Sequence, residues 1–144
     1  MSERSGAPEL TGILETVLYY TEEDATRHFY TEIMGMRLIG QTPGRQIFLR
    51  AGAAVFLLFN AQATRQPGSL PPHGATGPGH VCFLVPPSSY EQWQEHLKAA
   101  AVEVLTEVDW PVGKSTDSPL GSSFYFRDPS GNLLEMANAD FWPR

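Results

Sequence analysis

The chain repeats itself, and that repeat constrains its fold more than any other feature. GILETVLYY (12–20) is rich in β-branched and aromatic residues, reads as a strand, and runs into TEEDATRHFYTEIMG (21–35). There Ala25, Phe29 and Ile33 recur at four-residue spacing, Thr21 and Asp24 have capping-box spacing, and Gly35 closes the run, so the stretch is predicted to be a helix. The same order returns in the second half. GHVCFLV (79–85) is a short apolar strand, and SSYEQWQEHLKAAAV follows with Ser88 and Glu91 as a second capping box and Tyr90, Trp93, Leu97 and Ala101 as an apolar stripe. After each helix come three strand-like runs: MRLIGQ, RQIFLRAG and AVFLLFN, then VEVLTEV, SSFYFRDP and NLLEMAN. Turn residues such as TPG (42–44) and DPSG (128–131) separate them.

Each half is therefore βαβββ, and the chain is predicted to be an α+β fold of one domain, 1–144. Module one covers about 10–60 and module two about 79–141, while the Pro- and Gly-rich stretch 61–78 is a linker or loop. A four-stranded sheet with one helix has only one face covered. Two such sheets side by side are expected to curve around a central cleft, helices outside.

Composition narrows the partners. Ten Lys and Arg against 16 Asp and Glu give a net charge of -6, and no basic run occurs, which argues against nucleic acid and anionic membrane. The longest apolar stretch, AGAAVFLLF (51–59), is far too short to span a bilayer, and MSERSGAPEL lacks the apolar centre of a signal peptide. The lone Cys82 suits a reducing compartment, and the expected location is cytoplasmic.

Strand alternation brings a polar set together. If Leu14, Leu18 and Tyr20 face the helix, then Ile13, Glu15 and Val17 face the cleft. If Val81, Phe83 and Val85 face the second helix, His80, Cys82 and Leu84 face the cleft, and in the last strand Leu133, Glu135 and Ala137 share one side. Two carboxylates buried together repel one another, and a divalent cation resolves the conflict. Glu15, His80 and Glu135 thus form a candidate three-point metal site with positions open to water or substrate.

This doubled pattern, with ligand candidates on the first strand of each half and on the final strand after a D-P-x-G turn, resembles the vicinal oxygen chelate superfamily. That group includes glyoxalase I, extradiol dioxygenases, fosfomycin-resistance enzymes and bleomycin-binding proteins. FYTEIMGMRL, GHVCFLV and FYFRDPSGNLLEM carry the likeness, over roughly 10–141. The resemblance implies Glu15, His80 and Glu135 as ligands of a divalent metal (Mn, Fe, Zn, Ni or Mg), a homodimer, and a small-molecule substrate chelating the metal through adjacent oxygens. Lyase, isomerase and dioxygenase chemistry all stay open.

The chain also departs from its relatives. Glyoxalase I has a further Glu on the last strand of its first half, where AAVFLLFN is expected to present Phe56. Extradiol dioxygenases use two His and one carboxylate, whereas this chain has Glu15 in place of one His. SSFYFRDPSGNLLE has the Tyr-to-Glu spacing of the fosfomycin-resistance transferases, which makes Tyr125 the candidate catalytic contact, with Lys114 and Ser118 as possible anion ligands. A metal-free, bleomycin-resistance-like binding protein is the alternative, using an acidic trough lined by aromatics. Phe48, Phe56, Trp110, Phe124 and Phe126 are the expected pocket aromatics, with Trp142 covering the cleft mouth or a subunit seam. His28, His73 and His96 are expected in solvent, Cys82 as a small apolar side chain, and Gly131 as a turn residue that aims Glu135.

Overall fold

A computed structural model of the chain describes residues 6–111 and 119–144. Module one comprises β1 (Glu15–Tyr19), α1 (Glu23–His28) with a π-helical continuation Phe29–Ile33, β2 (Arg37–Thr42), β3 (Gln46–Ala51) and β4 (Ala54–Phe59). A short helix, α2 (Ala61–Thr64), begins the connection. Module two follows as β5 (His80–Leu84), a 3₁₀ turn Pro87–Ser89, α3 (Tyr90–Ala99), β6 (Thr106–Trp110), β7 (Gly121–Arg127) and β8 (Leu133–Ala137). The sheets have matching orders, β1-β4-β3-β2 and β5-β8-β7-β6, each with one parallel pair at its edge. The two βαβββ units and their open curved sheets are those of the expected α+β fold. No helix among the described residues is long and apolar enough to cross a membrane.

Neither capping box forms. Glu22 occupies the N-cap of α1 without a side-chain bond, and the Thr21 N–H donates instead to Ser130 Oγ of module two at 2.9 Å. Before α3, Pro87 opens a 3₁₀ turn and Ser89 Oγ donates back to the Pro86 carbonyl at 3.1 Å. At α1 another partner took the N–H that the local pattern reserved for the cap, and at α3 the N-cap falls one residue later than expected, on Ser89.

One apolar core joins the modules. Tyr30, Ile47, Leu49, Leu58, Leu97, Phe124, Phe126 and Leu134 are fully buried in it. Aromatic contacts cross between the modules, with Phe29 against Phe126 at 6.4 Å and Phe56 edge-on to Phe83 at 5.7 Å between ring centroids. Such pairs add to the area that they bury.

A polar latch crosses the same boundary. The buried Asp128 carboxylate accepts from Tyr30 Oη at 2.7 Å, from the Ser130 and Asn132 N–H groups at 2.9 Å each, and from Asn132 Nδ2 at 3.0 Å. Asn132 also donates to the Tyr19 carbonyl at 2.9 Å and accepts from the Gly79 N–H at 2.8 Å. The D-P-x-G-N turn, with Gly131 at φ 86°, therefore binds the end of β1 to the start of β5. There the two edge strands meet so closely that a Cβ at Gly79 would lie 2.7 Å from Leu18 Cδ2.

Candidate metal centre and cleft

The face of module two away from the helices carries the polar set. Along β5, Val81 and Phe83 are half-buried toward the core and Val85 beyond it is buried, while His80, Cys82 and Leu84 are exposed on the cleft side. Parallel pairing sets Cys82 beside Glu135 of β8, and antiparallel pairing sets Tyr125 of β7 on the other side of Glu135. Glu135 is buried, and its Oε1 lies 3.2 Å from His80 Nε2.

The histidine's other nitrogen fixes the chemistry of this pair. His80 Nδ1 lies 2.9 Å from the Leu133 carbonyl, which can only accept, so Nδ1 carries the proton. A proton on Nε2 makes this contact an ion pair with Glu135, and without that proton the nitrogen and the carboxylate oxygen are two donors that a cation can bridge. Two donors each about 2.1 Å from one metal ion, at an angle between square and tetrahedral, stand about 3 Å apart. The donor set and its spacing fit a divalent ion, and a backbone carbonyl on the second ring nitrogen is the usual means of orienting a metal-binding histidine.

Two neighbours surround Glu135. Tyr125 stacks on the His80 ring at 6.1 Å and 23°. Burial, then the charge and hydrogen bonding of Glu135, raise its phenol above the ordinary tyrosine value, with Ser123 acting in the opposite sense. Cys82 is exposed as a residue, yet burial of the thiol and then the adjacent Glu135 carboxylate push it up to about 12. Both groups stay protonated near neutrality and are available as donors.

Glu15 does not join this pair within one chain. It is exposed at the start of β1, three residues before the contact of Leu18 with Gly79, whereas His80 directly follows that contact. Among the described residues no group of three or more His, Cys, Asp and Glu could hold a metal. Within one chain the described residues thus bring His80 and Glu135 together, with Glu15 outside the pair.

The aromatic positions divide by strand phase. Phe124 and Phe126 have no exposure and face the core, so they are not pocket walls; Ser123 and Tyr125 hold the cleft side of β7. Phe56 is also a core residue, packed on Tyr30 at 5.1 Å. Register with β1 puts Val55, Leu57 and Phe59 on the Glu15 face of β4, so Leu57 takes the place expected of Phe56, and that face still offers no acid. Phe48 lies on the Glu15 side, edge-on to Phe59 at 5.8 Å. Trp110 reaches back along the cleft face, donating from Nε1 to Ser123 Oγ at 2.9 Å and stacking on Phe141 at 5.0 Å. Trp142 is exposed next to them. Lys114 and Ser118 lie outside the described residues.

His28 is exposed, but the other two histidines expected in solvent have partners. His96 Nε2 lies 2.7 Å from the Ile33 carbonyl. His73 brings the linker onto module one, with Nδ1 2.7 Å from Tyr19 Oη and its ring edge-on to Phe59. No local pattern announces the His73 contact, which spans 54 residues.

Residues 12–136 match the family model of the Glyoxalase/Bleomycin resistance protein/Dioxygenase superfamily. A lactoylglutathione lyase from Agrobacterium tumefaciens is 30% identical with a TM-score of 0.80, over 90% of this chain and 95% of its own. A glyoxalase/bleomycin resistance protein/dioxygenase from Nocardioides is 21% identical with a TM-score of 0.69, over 92% and 85%. The fosfomycin resistance protein FosX from Listeria monocytogenes, solved with Mn(II) and 1S,2S-dihydroxypropylphosphonic acid, is 19% identical with a TM-score of 0.66, over 92% and 93%. The last two share the fold.

Proposed function

The chain belongs to the glyoxalase/bleomycin resistance protein/dioxygenase superfamily, and from that premise we propose that it is a divalent-metal-dependent enzyme acting on a small organic molecule with two adjacent oxygens. The observation that carries this is the His80 pair: Nδ1 held 2.9 Å from the Leu133 carbonyl, and Nε2 held 3.2 Å from the Glu135 carboxylate. A bound divalent ion would supply Lewis acidity toward those oxygens.

The chain's own residues do the rest. His80 Nε2 and Glu135 hold two positions, and the Leu133 carbonyl keeps the imidazole in the required tautomer and orientation. Glu15 completes the set from a second copy of the chain, because within one chain it stands apart. The Tyr125 hydroxyl, kept protonated by burial and by Glu135, donates a hydrogen bond to a substrate oxygen beside His80. Trp110, held by Ser123 and backed by Phe141, walls the far end of the same face. No acid lies among Val55, Leu57 and Phe59 on the Glu15 face of β4, so a base of the glyoxalase I kind is missing there, and the reaction is proposed no more narrowly than lyase, isomerase or dioxygenase.

Elemental analysis of the purified protein, beside Glu15→Ala, His80→Ala and Glu135→Ala, tests the proposal. Near-stoichiometric Mn, Fe, Zn or Ni that falls in all three variants is expected. A protein that retains no divalent ion, even after incubation with each of these metals and with Mg, overturns it.

A further inference from the structure

Among the described residues, the N-terminal arm carries a run of exposed aliphatic side chains. Leu10, Ile13 and Leu14 are 91%, 83% and 75% exposed, although strand alternation assigned Leu14 to the core. Three large aliphatic side chains within five residues form a patch of the kind that marks an interface. The arm is rooted beside a cavity, since the Val55 N–H donates to the Leu14 carbonyl at 3.2 Å and both Val55 and Thr16 line the hollow.

That cavity, of about 420 Å³, is the wedge that opens where β1 and β5 diverge from their contact at Leu18 and Gly79. Its walls include Phe56, Phe83 and Trp93 together with Met34, Met36 and Met136, every methionine among the described residues. Flexible thioethers adapt to side chains of irregular shape. The volume lies in the range of built binding sites. Cys82 and Leu84 stand at its β5 side, and Leu84 is 67% exposed.

We propose that the arm of one copy seats Leu10, Ile13 and Leu14 in the methionine-lined wedge of a second copy. The inference rests on the dimer of the proposed function, and the strand register supports it. Glu135 pairs with Cys82, and Cys82 lines the wedge. A second copy that brings Glu15 to the His80 and Glu135 pair therefore brings Leu14 and Ile13, its immediate predecessors, to the residues at the rim. The arm thus delivers the third carboxylate and closes the wedge in one movement. Eight extended residues, 7–14, span at most about 28 Å, enough to cross a two-fold seam from its own rim.

The lone native cysteine makes the seating measurable. Leu10→Cys, Ile13→Cys and Leu14→Cys are each oxidised with diamide and run on non-reducing gels, alone and combined with Cys82→Ser. At least one is expected to give a covalent dimer that disappears with Cys82→Ser. A second variant, Leu10→Asp/Ile13→Asp/Leu14→Asp, changes side chains exposed in the single chain and so leaves its folding intact. In sedimentation its dimer should dissociate roughly a hundredfold or more readily than the native one, because carboxylates would enter an apolar wedge. An intramolecular disulfide, or an unchanged dimer in the triple variant, overturns the arm while leaving the dimer standing; where the protonated Cys82 thiol gives no cross-link, the triple variant decides. A native protein that sediments as a monomer overturns both.

Discussion

Replacing Asn132 by alanine should cost about 3 kcal/mol of stability and loosen the metal pair in the same stroke. The side chain is 2% exposed and makes three hydrogen bonds, to the Tyr19 carbonyl, to Asp128 Oδ2 and from the Gly79 N–H. Each is worth about 1 kcal/mol net, and a backbone group left unpaired in a buried place costs about 1–3 kcal/mol more. Alanine removes all three and strands two backbone groups, the Tyr19 carbonyl and the Gly79 N–H. Since both bonds are only part-buried, water recovers much of the second cost, which keeps the total near 3 kcal/mol, equivalent to about 10 °C in Tm. Gly79 directly precedes His80, so slack there moves the imidazole, and metal affinity should fall about tenfold, as for other groups that orient a ligand. Urea denaturation at constant slope, with elemental analysis of the same samples, reads both effects. A loss below about 1 kcal/mol with unchanged metal affinity would refute the idea that this amide couples the modules to the site.

Tyr30→Phe deletes one of four donors to the buried Asp128 and should lower stability by about 2 kcal/mol in urea, the usual worth of a bond to a charged acceptor; a change under 0.5 kcal/mol, roughly the noise of such comparisons, would mean that the remaining N–H groups satisfy the carboxylate alone. Cys82 should react slowly with iodoacetamide at pH 8, since a thiol pushed up to about 12 holds roughly a thousandfold less thiolate than one at 9.0. Because folding disfavours the thiolate, this group leaves stability untouched below pH 9 and weakens the fold as pH rises from 9 toward 12. Glu135→Gln removes the second cause of the shift and should speed the alkylation, and native protein that labels as fast as the urea-unfolded chain would contradict this account.

The sequence by itself determined the doubled βαβββ order, the strands, and the cleft face of β5, where period-two alternation leaves a single phase that buries Val81, Phe83 and Val85. It also put His80 and Glu135 on faces that share the cleft, while their contact comes from the pairing of β5 with β8. It left the phase of β7 undecided, since Phe124, Tyr125 and Phe126 are aromatic in succession and only packing against α1 and α3 puts the two phenylalanines inside. The uniform apolar run of β4 hid its phase in the same way, so Leu57 stands where Phe56 was expected. The α1 cap gave way to a contact across the module boundary that local spacing does not reveal, and the α3 N-cap shifted by one residue to Ser89. Only the tertiary structure decided that the chain meets itself at Leu18 and Gly79, and that among the described residues Glu15 does not group with His80 and Glu135. The physical reason is range: alternation fixes which way a side chain points from its own strand, while the distance between two strands is set by the close packing of groups far apart in sequence.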